Sequence, residues 1–307
     1  MPIPYSQFVR ASLYGPVALS LPNGPEGYYR KNRRRIGLDD KTDFYTSSSL
    51  SLFPKLLASA LTTLRELHRL ENATLIEIGN EPRAPVFPKA PHGFYASLNF
   101  PLGNPPKIES PAILFSNELF DALPFDRFRY DKGGWRLLGL DPEKKILDLD
   151  LGPAPVQAAE FLGTHFPDGA TVDLSLETFS LIEQVCGQKF KGLFVAFDYG
   201  LTLSQLLANP RPTARAYCRH RQLSLAEALA LPPGGYDITH HVIWDLLTLA
   251  LQKNGFTVQP PISQESFFVN YASGVFPTLT PNERKELTTL LHPAHMGQAF
   301  DLLIAHR

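Results

Sequence analysis

The 307-residue sequence predicts an α/β protein built on a largely parallel, nucleotide-type sheet. Three observations carry this. Residues 74–78, 112–115 and 193–197 are apolar almost throughout, as strands covered on both faces are. Each run stops in a glycine or in polar residues: Gly79, then Asn117 and Glu118, then Asp198 and Tyr199. The carboxyl ends of such strands are where open sheets place their ligands. Around the runs lie segments of helical spacing, residues 50–70 and 175–186.

In chain order, residues 5–9 begin a helix, and an apolar run at 17–21 precedes Arg30, Lys31, Arg33, Arg34 and Arg35. These cations read as a solvated loop or as a local site for an acidic group. Residues 50–70 set Leu52, Phe53, Leu56, Leu57, Ala60, Leu61, Leu64 and Leu67 on one stripe, with Ser48 or Ser49 as cap. Residues 74–78 form a buried strand closed by Gly79. Pro82, Pro85, Pro88 and Pro91 exclude a helix over 82–91, since each removes an N–H and costs about 3 kcal/mol in a helix interior. That stretch is extended instead. Residues 93–100 alternate as a strand, with Phe94, Ala96, Leu98 and Phe100 on one face and no acid among them.

After the strand at 112–115, Asn117, Glu118 and Asp121 read in two ways. They are a ligand-facing strand end, or a helix start with Ser116 or Asn117 as cap. Residues 125–130 and 135–140 flank Asp131-Lys132-Gly133-Gly134, a hairpin signal. Residues 146–151 alternate as a further strand, and 157–162 give one or two helical turns. The helix at 175–186 is capped by Ser175 and stopped by Gly187. Residues 192–200 hold a central strand with Asp198 and Tyr199 at its carboxyl end. Asp237 or Thr239 caps a helix with the stripe Val242, Leu246, Leu249 and Ala250. Pro260 and Pro261 make 256–268 an edge or interrupted strand pair. Thr280-Pro281-Asn282-Glu283 is a helix start, with cap, proline at the first position and Glu at the third.

Composition narrows the function classes. A net charge of −1 gives no general attraction to nucleic acid or an anionic membrane. No apolar run approaches the ~18 residues of a membrane span, and Met1-Pro2-Ile3-Pro4 has no secretory pattern. Cys186 and Cys218 cannot make a disulfide framework, so a reducing compartment, the cytoplasm, is expected. His240 and His241 are adjacent and point to different helix sides, and His292 and His295 straddle a proline. Neither pair suits a metal.

Several separated motifs resemble, in order, those of the MidA family of S-adenosylmethionine (SAM)-dependent methyltransferases. Ser116-Asn117-Glu118-Leu119-Phe120-Asp121-Ala122-Leu123-Pro124 is similar to its S-N-E-x-x-D-A-L-P signature. Gly27-Tyr28-Tyr29 with Asp43, Phe44, Thr46 and Ser47 is similar to its entry to the first helix. Asp198-Tyr199-Gly200, the segment around His220, and Gly234 to Thr239 follow; Met296-Gly297 resembles a terminal strand, with Gln264 and Phe267 in closing strands. The chain departs from the pattern after Glu77 and Gly79. There, Asn80, Glu81, Pro82 and Arg83 stand where further glycines are expected, and Ile243 replaces an Asp.

The resemblance implies a Rossmann-like methyltransferase sheet with an additional helical region. Residues 1–70 would be an N-terminal helical segment, and 71–307 the methyltransferase domain with an insertion around 201–235. It implies SAM as cofactor and methylation of a protein partner, on arginine in one branch. Glu77, Gly79, Thr46, Ser47 and Asn80 would bind the cofactor. Asn117, Glu118, Asp121, Asp198 and His220 would be catalytic, and Tyr199 and Asp237 would contact substrate. His220 reads equally as an ordinary histidine outside catalysis. Two other readings remain open at this stage: a catalytically degenerate member serving as a protein-binding or assembly scaffold, and a pocket remodelled for another small ligand.

Overall fold

The computed structural model describes residues 1–15, 27–31, 35, 37, 42–43, 45–80, 85–100 and 107–307. The apolar run at 17–21, Arg33, Arg34, Phe44 and the first residues after Asn80, from Glu81 to Arg83, lie outside the described residues. The described strands are β1 (Ile3–Pro4), β2 (Thr74–Ile78), β3 (Ser97–Phe100), β4 (Ala112–Asn117), β5 (Asp126–Asp131), β6 (Gly134–Asp141), β7 (Ile146–Pro153), β8 (Thr171–Leu174) and β9 (Gly192–Asp198). They continue as β10 (Gly200–Leu201), β11 (Arg215–Cys218), β12 (Arg221–Leu223), β13 (Asp237–Thr239), β14 (Val242–Ile243), β15 (Thr257–Val258), β16 (Ile262–Ser263) and β17 (Asp301–His306). The helices are α1 (Tyr5–Tyr14), α2 (Phe53–Leu67), α3 (Val156–Leu162), α4 (Glu177–Cys186), α5 (Leu203–Ala208), α6 (Leu225–Ala228), α7 (Trp244–Lys253), α8 (Gln264–Ala272) and α9 (Pro281–Leu291). No helix among the described residues is long and apolar enough to cross a membrane.

The chain forms two compact units from interleaved stretches. One comprises Met1–Tyr45, Phe120–Ser180 and Gly200–Leu246; the other comprises Thr46–Leu119, Leu181–Tyr199 and Leu247–Arg307. The division does not fall at residue 70, where the sequence places one. Residues 201–235, expected as an insertion, contribute α5, β11, β12 and α6 to the first unit.

The second unit holds the predicted α/β sheet, in the order β15-β17-β9-β4-β2-β3, with β16 also on β17. Strands β3, β2, β4 and β9 run parallel, and β17 is antiparallel to β9. Every residue of β2 and β9 is buried, which is why these strands read as continuous apolar runs. Helix α2 buries Phe53, Leu56, Leu57, Ala60, Leu61 and Leu64, the stripe its spacing predicts. Phe53 meets Phe197 of β9 edge-on, at 5.6 Å between ring centroids. Its start differs from expectation: Ser47, Ser48 and Ser49 form a 3₁₀ turn capped by Thr46, and the helix begins after Leu52.

Other elements of this unit agree with the sequence reading in part and correct it in part. Residues 85–96 contain no helix, as the prolines require. Strand β3 is the sheet edge and starts only at Ser97, later than the alternation from residue 93 suggests, and Leu98 is 41% exposed. Pro260 and Pro261 do interrupt a strand pair, β15 and β16, but Gln264 and Phe267 lie in helix α8. Met296 to Phe300 is a turn, with β17 starting at Asp301. A Cβ at Gly297 would fall 2.1 Å from the Leu291 carbonyl oxygen, so the chain folds back tightly on the end of α9 there.

The first unit is mainly antiparallel. Strands β1, β6, β5 and β8 are neighbours, with β7 on β6, and β12-β11-β13 forms a second sheet. The predicted hairpin joins β5 to β6 through Lys132 and Gly133, at φ 48 and 84. Its cores gather Tyr5, Phe8, Tyr28, Phe125 and Tyr236 in one cluster, and Phe128, Trp135, Phe166 and Leu246 in another. Asp237 and Thr239, expected as helix caps, are buried in β13, and α7 starts at Trp244.

Candidate functional site at the parallel strand ends

Strands β2, β4 and β9 end level with one another. Ile78 pairs with Ser116, and Asn117 with Phe197, so Gly79, Asn117 and Asp198 share one rim of the second unit. Gly79 has φ 71, and an added Cβ would lie 2.4 Å from Leu119 Cδ1. A glycine is required on both counts. Glu77 is buried, and its carboxylate accepts from Val86 N at 3.0 Å and Phe87 N at 3.2 Å. Burial pushes its pKa up, and the two backbone bonds pull it back.

No helix follows β4, which corrects the helix-start reading of Ser116 and Asn117. Lateral pairing prevails over capping preference: the strand runs through Asn117, and Glu118 N donates to Phe197 O at 2.9 Å. Glu118 turns the chain at φ 48, and its Oε1 accepts from Asn117 Nδ2 at 3.0 Å. Strand alternation places Asn117 on the face of Phe197, and Asp198 on the face of Ser116. Asp198 is fully buried and accepts from Tyr199 N at 3.0 Å, while the Tyr199 ring lies 5.5 Å from that of Phe300. Ser116 Oγ is buried without a hydrogen-bond partner among the described residues.

Thr46 and Ser47 belong to the same unit, and both hydroxyls are used within it. Thr46 Oγ1 accepts from Ser48 N at 3.2 Å. Ser47 Oγ donates to Gln264 Oε1 at 2.7 Å, and Gln264 Nε2 donates to Leu290 O. Asn80 follows Gly79 at the rim, half-buried.

Asp121, His220 and Asp237 lie in the other unit. Asp237 is buried and accepts from Tyr29 Oη at 2.9 Å and from Ile238 N at 2.9 Å. Burial, and then the charge of Asp121, push its pKa up to about 7. Asp121 is buried as well, and its carbonyl accepts from His240 N. His220 is exposed at the tip of the β11–β12 hairpin. Its Nε2 lies 3.1 Å from Thr42 Oγ1, and its backbone N–H donates to Asp43 O. Asp43 is matched in the motif resemblance but is given no role. Its Oδ2 accepts from Tyr28 Oη at 2.7 Å and its Oδ1 from Arg219 N at 3.1 Å. The signal for it was present, since Asp43 and Tyr28 stand in the same matched segment. Among the described residues, no group of three or more His, Cys, Asp or Glu side chains is placed to hold a metal.

Residues 58–262 match the model of a family described as "Putative S-adenosyl-L-methionine-dependent methyltransferase". No functionally curated protein matches the chain. Among solved structures, it resembles a protein from Burkholderia thailandensis bound to S-adenosyl-homocysteine. That match has a TM-score of 0.81 at 21% identity, covering 100% of this chain and 88% of the other. A native structure of an uncharacterised protein from the same organism gives 0.74 at 19%, covering 100% of this chain and 87% of the other. At such identities the likeness speaks for the fold, a mixed α/β architecture. The family match, which spans more than half of the sequence, places the chain in that family of SAM-dependent methyltransferases.

Proposed function

We propose that this protein transfers a methyl group from SAM to a nitrogen of a protein partner, with arginine as the side chain, as in the MidA branch that its motifs resemble. One observation carries the proposal. A parallel sheet brings Gly79, Asn117, Glu118 and Asp198 to a single rim at its strand ends, where such sheets bind ligands. SAM has a positive sulfur, an ammonium group and ribose hydroxyls, all of which seek acceptors. The rim supplies them through the Asn117 amide and the Glu118 and Asp198 carboxylates, and Ser116 Oγ is a further buried polar atom there. On this reading, Asn117, Glu118 and Asp198 hold the cofactor or the target nitrogen, and Gly79 lets the backbone turn close by.

When bound, SAM supplies the electrophilic methyl group. The chain's part is positioning. Glu118 is fixed by its backbone bond to β9 and by Asn117, and a carboxylate held this way can grip a guanidinium through paired hydrogen bonds. The free cysteines Cys186 and Cys218 suit a reducing compartment.

The test is calorimetric titration and thermal shift with SAM and S-adenosylhomocysteine. Ligand at 100 times Kd should add about 2.7 kcal/mol of stability. Folded protein that gains nothing at millimolar SAM would sink the proposal. It would favour the second reading, a scaffold that keeps the fold without the chemistry. One observation motivates that reading: Glu77, Thr46 and Ser47 already bond within the chain. Labelled SAM with arginine-bearing and lysine-bearing protein substrates then tests the target residue.

A further inference from the structure

The segment after Gly79 has lost the means by which a nucleotide-type sheet ordinarily grips an anionic or polar ligand. Pro85, Pro88 and Pro91 bar a helix, and among the described residues 85–96 no helix start offers its N–H groups. Two consecutive backbone N–H groups of that segment, on Val86 and Phe87, point instead at the two carboxylate oxygens of Glu77. Glu77 is the penultimate residue of β2, between Ile76 and Ile78 and level with Phe115 of β4, and is 3% exposed.

The same short segment is fastened to three strands. Phe87 N is held by Glu77 of β2. Phe87 O accepts from Ser97 Oγ of β3 at 3.2 Å. The Phe87 ring meets Phe115 of β4, at 6.3 Å between centroids, two residues before Asn117. A buried charge with two backbone partners is a strong attachment, because releasing either donor leaves an anion short of a bond in an apolar setting.

We infer that Glu77 is a positioning residue whose carboxylate clamps Val86 and Phe87, and that this clamp builds the wall of the SAM site that the missing helix would otherwise supply. The inference rests on the cofactor reading above. It assigns Glu77 to the wall, whereas the motif resemblance assigns it to direct cofactor contact. Burial raises the Glu77 pKa, so protonation at low pH removes one acceptor and loosens the clamp.

The experiment uses the full chain with Glu77→Gln and, independently, Val86→Pro. The first replaces one acceptor by a donor. The second deletes one N–H from the loop without touching β2, and serves if Glu77→Gln fails to fold. Hydrogen exchange is followed at the Val86 and Phe87 amides, and SAM binding by titration. Both variants should lose protection at the Phe87 amide, and Glu77→Gln at the Val86 amide as well, while β4 and β9 keep theirs. Both should weaken SAM binding about tenfold, the equivalent of one charged hydrogen bond. KM for SAM should rise with kcat at saturation little changed, and wild-type affinity should fall as pH is lowered where the variant's does not. Wild-type affinity and protection in both variants would overturn the clamp while leaving the cofactor reading intact. Lost protection with unchanged SAM affinity would also overturn it, leaving only a packing role. Failure of the wild-type protein itself to bind SAM would overturn both.

Discussion

The two units of this chain handle polar side chains in opposite ways. In the parallel-sheet unit, the strands are apolar and their acidic side chains sit at the strand ends, where Glu77 and Asp198 accept from backbone N–H groups and Glu118 from Asn117 Nδ2. In the antiparallel unit, buried charged side chains bond other side chains. Arg127 joins Asp173 and Asp148, Tyr28 joins Asp43, and Tyr29 joins Asp237. The difference follows from sheet type. A parallel sheet covered on both faces leaves only its rim for polar chemistry. An antiparallel strand such as β7, which alternates between exposed and half-buried residues, can carry charges such as Asp148 and Asp150 on its open face. Stability should therefore depend on charge and pH in the antiparallel unit, and much less in the other.

The largest test of this contrast is Arg127. It is 5% exposed, and its Nε lies 2.7 Å from Oδ1 of Asp173, which is 1% exposed. Asp173 also accepts from Thr213 N and Ala214 N. Arg127→Met should cost about 3–5 kcal/mol, because it strands a buried anion. Adding Asp173→Asn should recover part of that loss. Urea unfolding measures both, and a cost below about 1 kcal/mol would remove the contrast.

Next comes Asp237, whose native pKa is raised to about 7 by burial and then by Asp121. The folded protein holds a proton that the unfolded chain releases above about pH 4. The favourable contribution is therefore complete below that pH and is lost as pH rises through about 7. Asp237→Asn should match the wild type at pH 4 and exceed it at pH 8, by something on the order of 2–4 kcal/mol. Equal slopes of stability against pH in the two proteins would show that the buried acid is not the source.

The same contrast explains what could be read in advance. Strands β2, β4 and β9 were legible because burial on both faces leaves an apolar run that few other elements share. The β5–β6 hairpin was legible from its turn residues. Helix α8 was not, although Gln264, Phe267, Phe268 and Ala272 are buried at helical spacing and Ser263 caps it. Its aromatic content and the prolines before it suggested strand. The end of β4 misled in another way: Ser116 and Asn117 are good caps locally, yet pairing with β9 carries the strand past them. At the rim, residue types were legible and partners were not. Val86 and Phe87 reach Glu77 across a loop with no periodic pattern, and the Tyr29–Asp237 bond spans 208 positions.

The smallest test lies in the parallel-sheet unit. Helix α9 starts at a capping box: Thr280 Oγ1 accepts from Glu283 N at 3.3 Å, and Glu283 Oε2 accepts from Thr280 N at 2.8 Å. Lys55 Nζ also lies 2.8 Å from Glu283 Oε1, and that bond, with the bonds to Thr280, holds the Glu283 pKa down at about 2. Thr280→Ala should cost about 1 kcal/mol, the ordinary worth of a cap. The lost group is a neutral hydroxyl and Glu283 stays ionised, so the cost should be the same at pH 5 and pH 8. Paired with Asp237→Asn under identical conditions, this gives a flat line against a sloping one. A pH-dependent cost at Thr280 would mean that charge matters as much to the parallel-sheet unit as to the antiparallel one, and the division drawn between them would fail at its most favourable point.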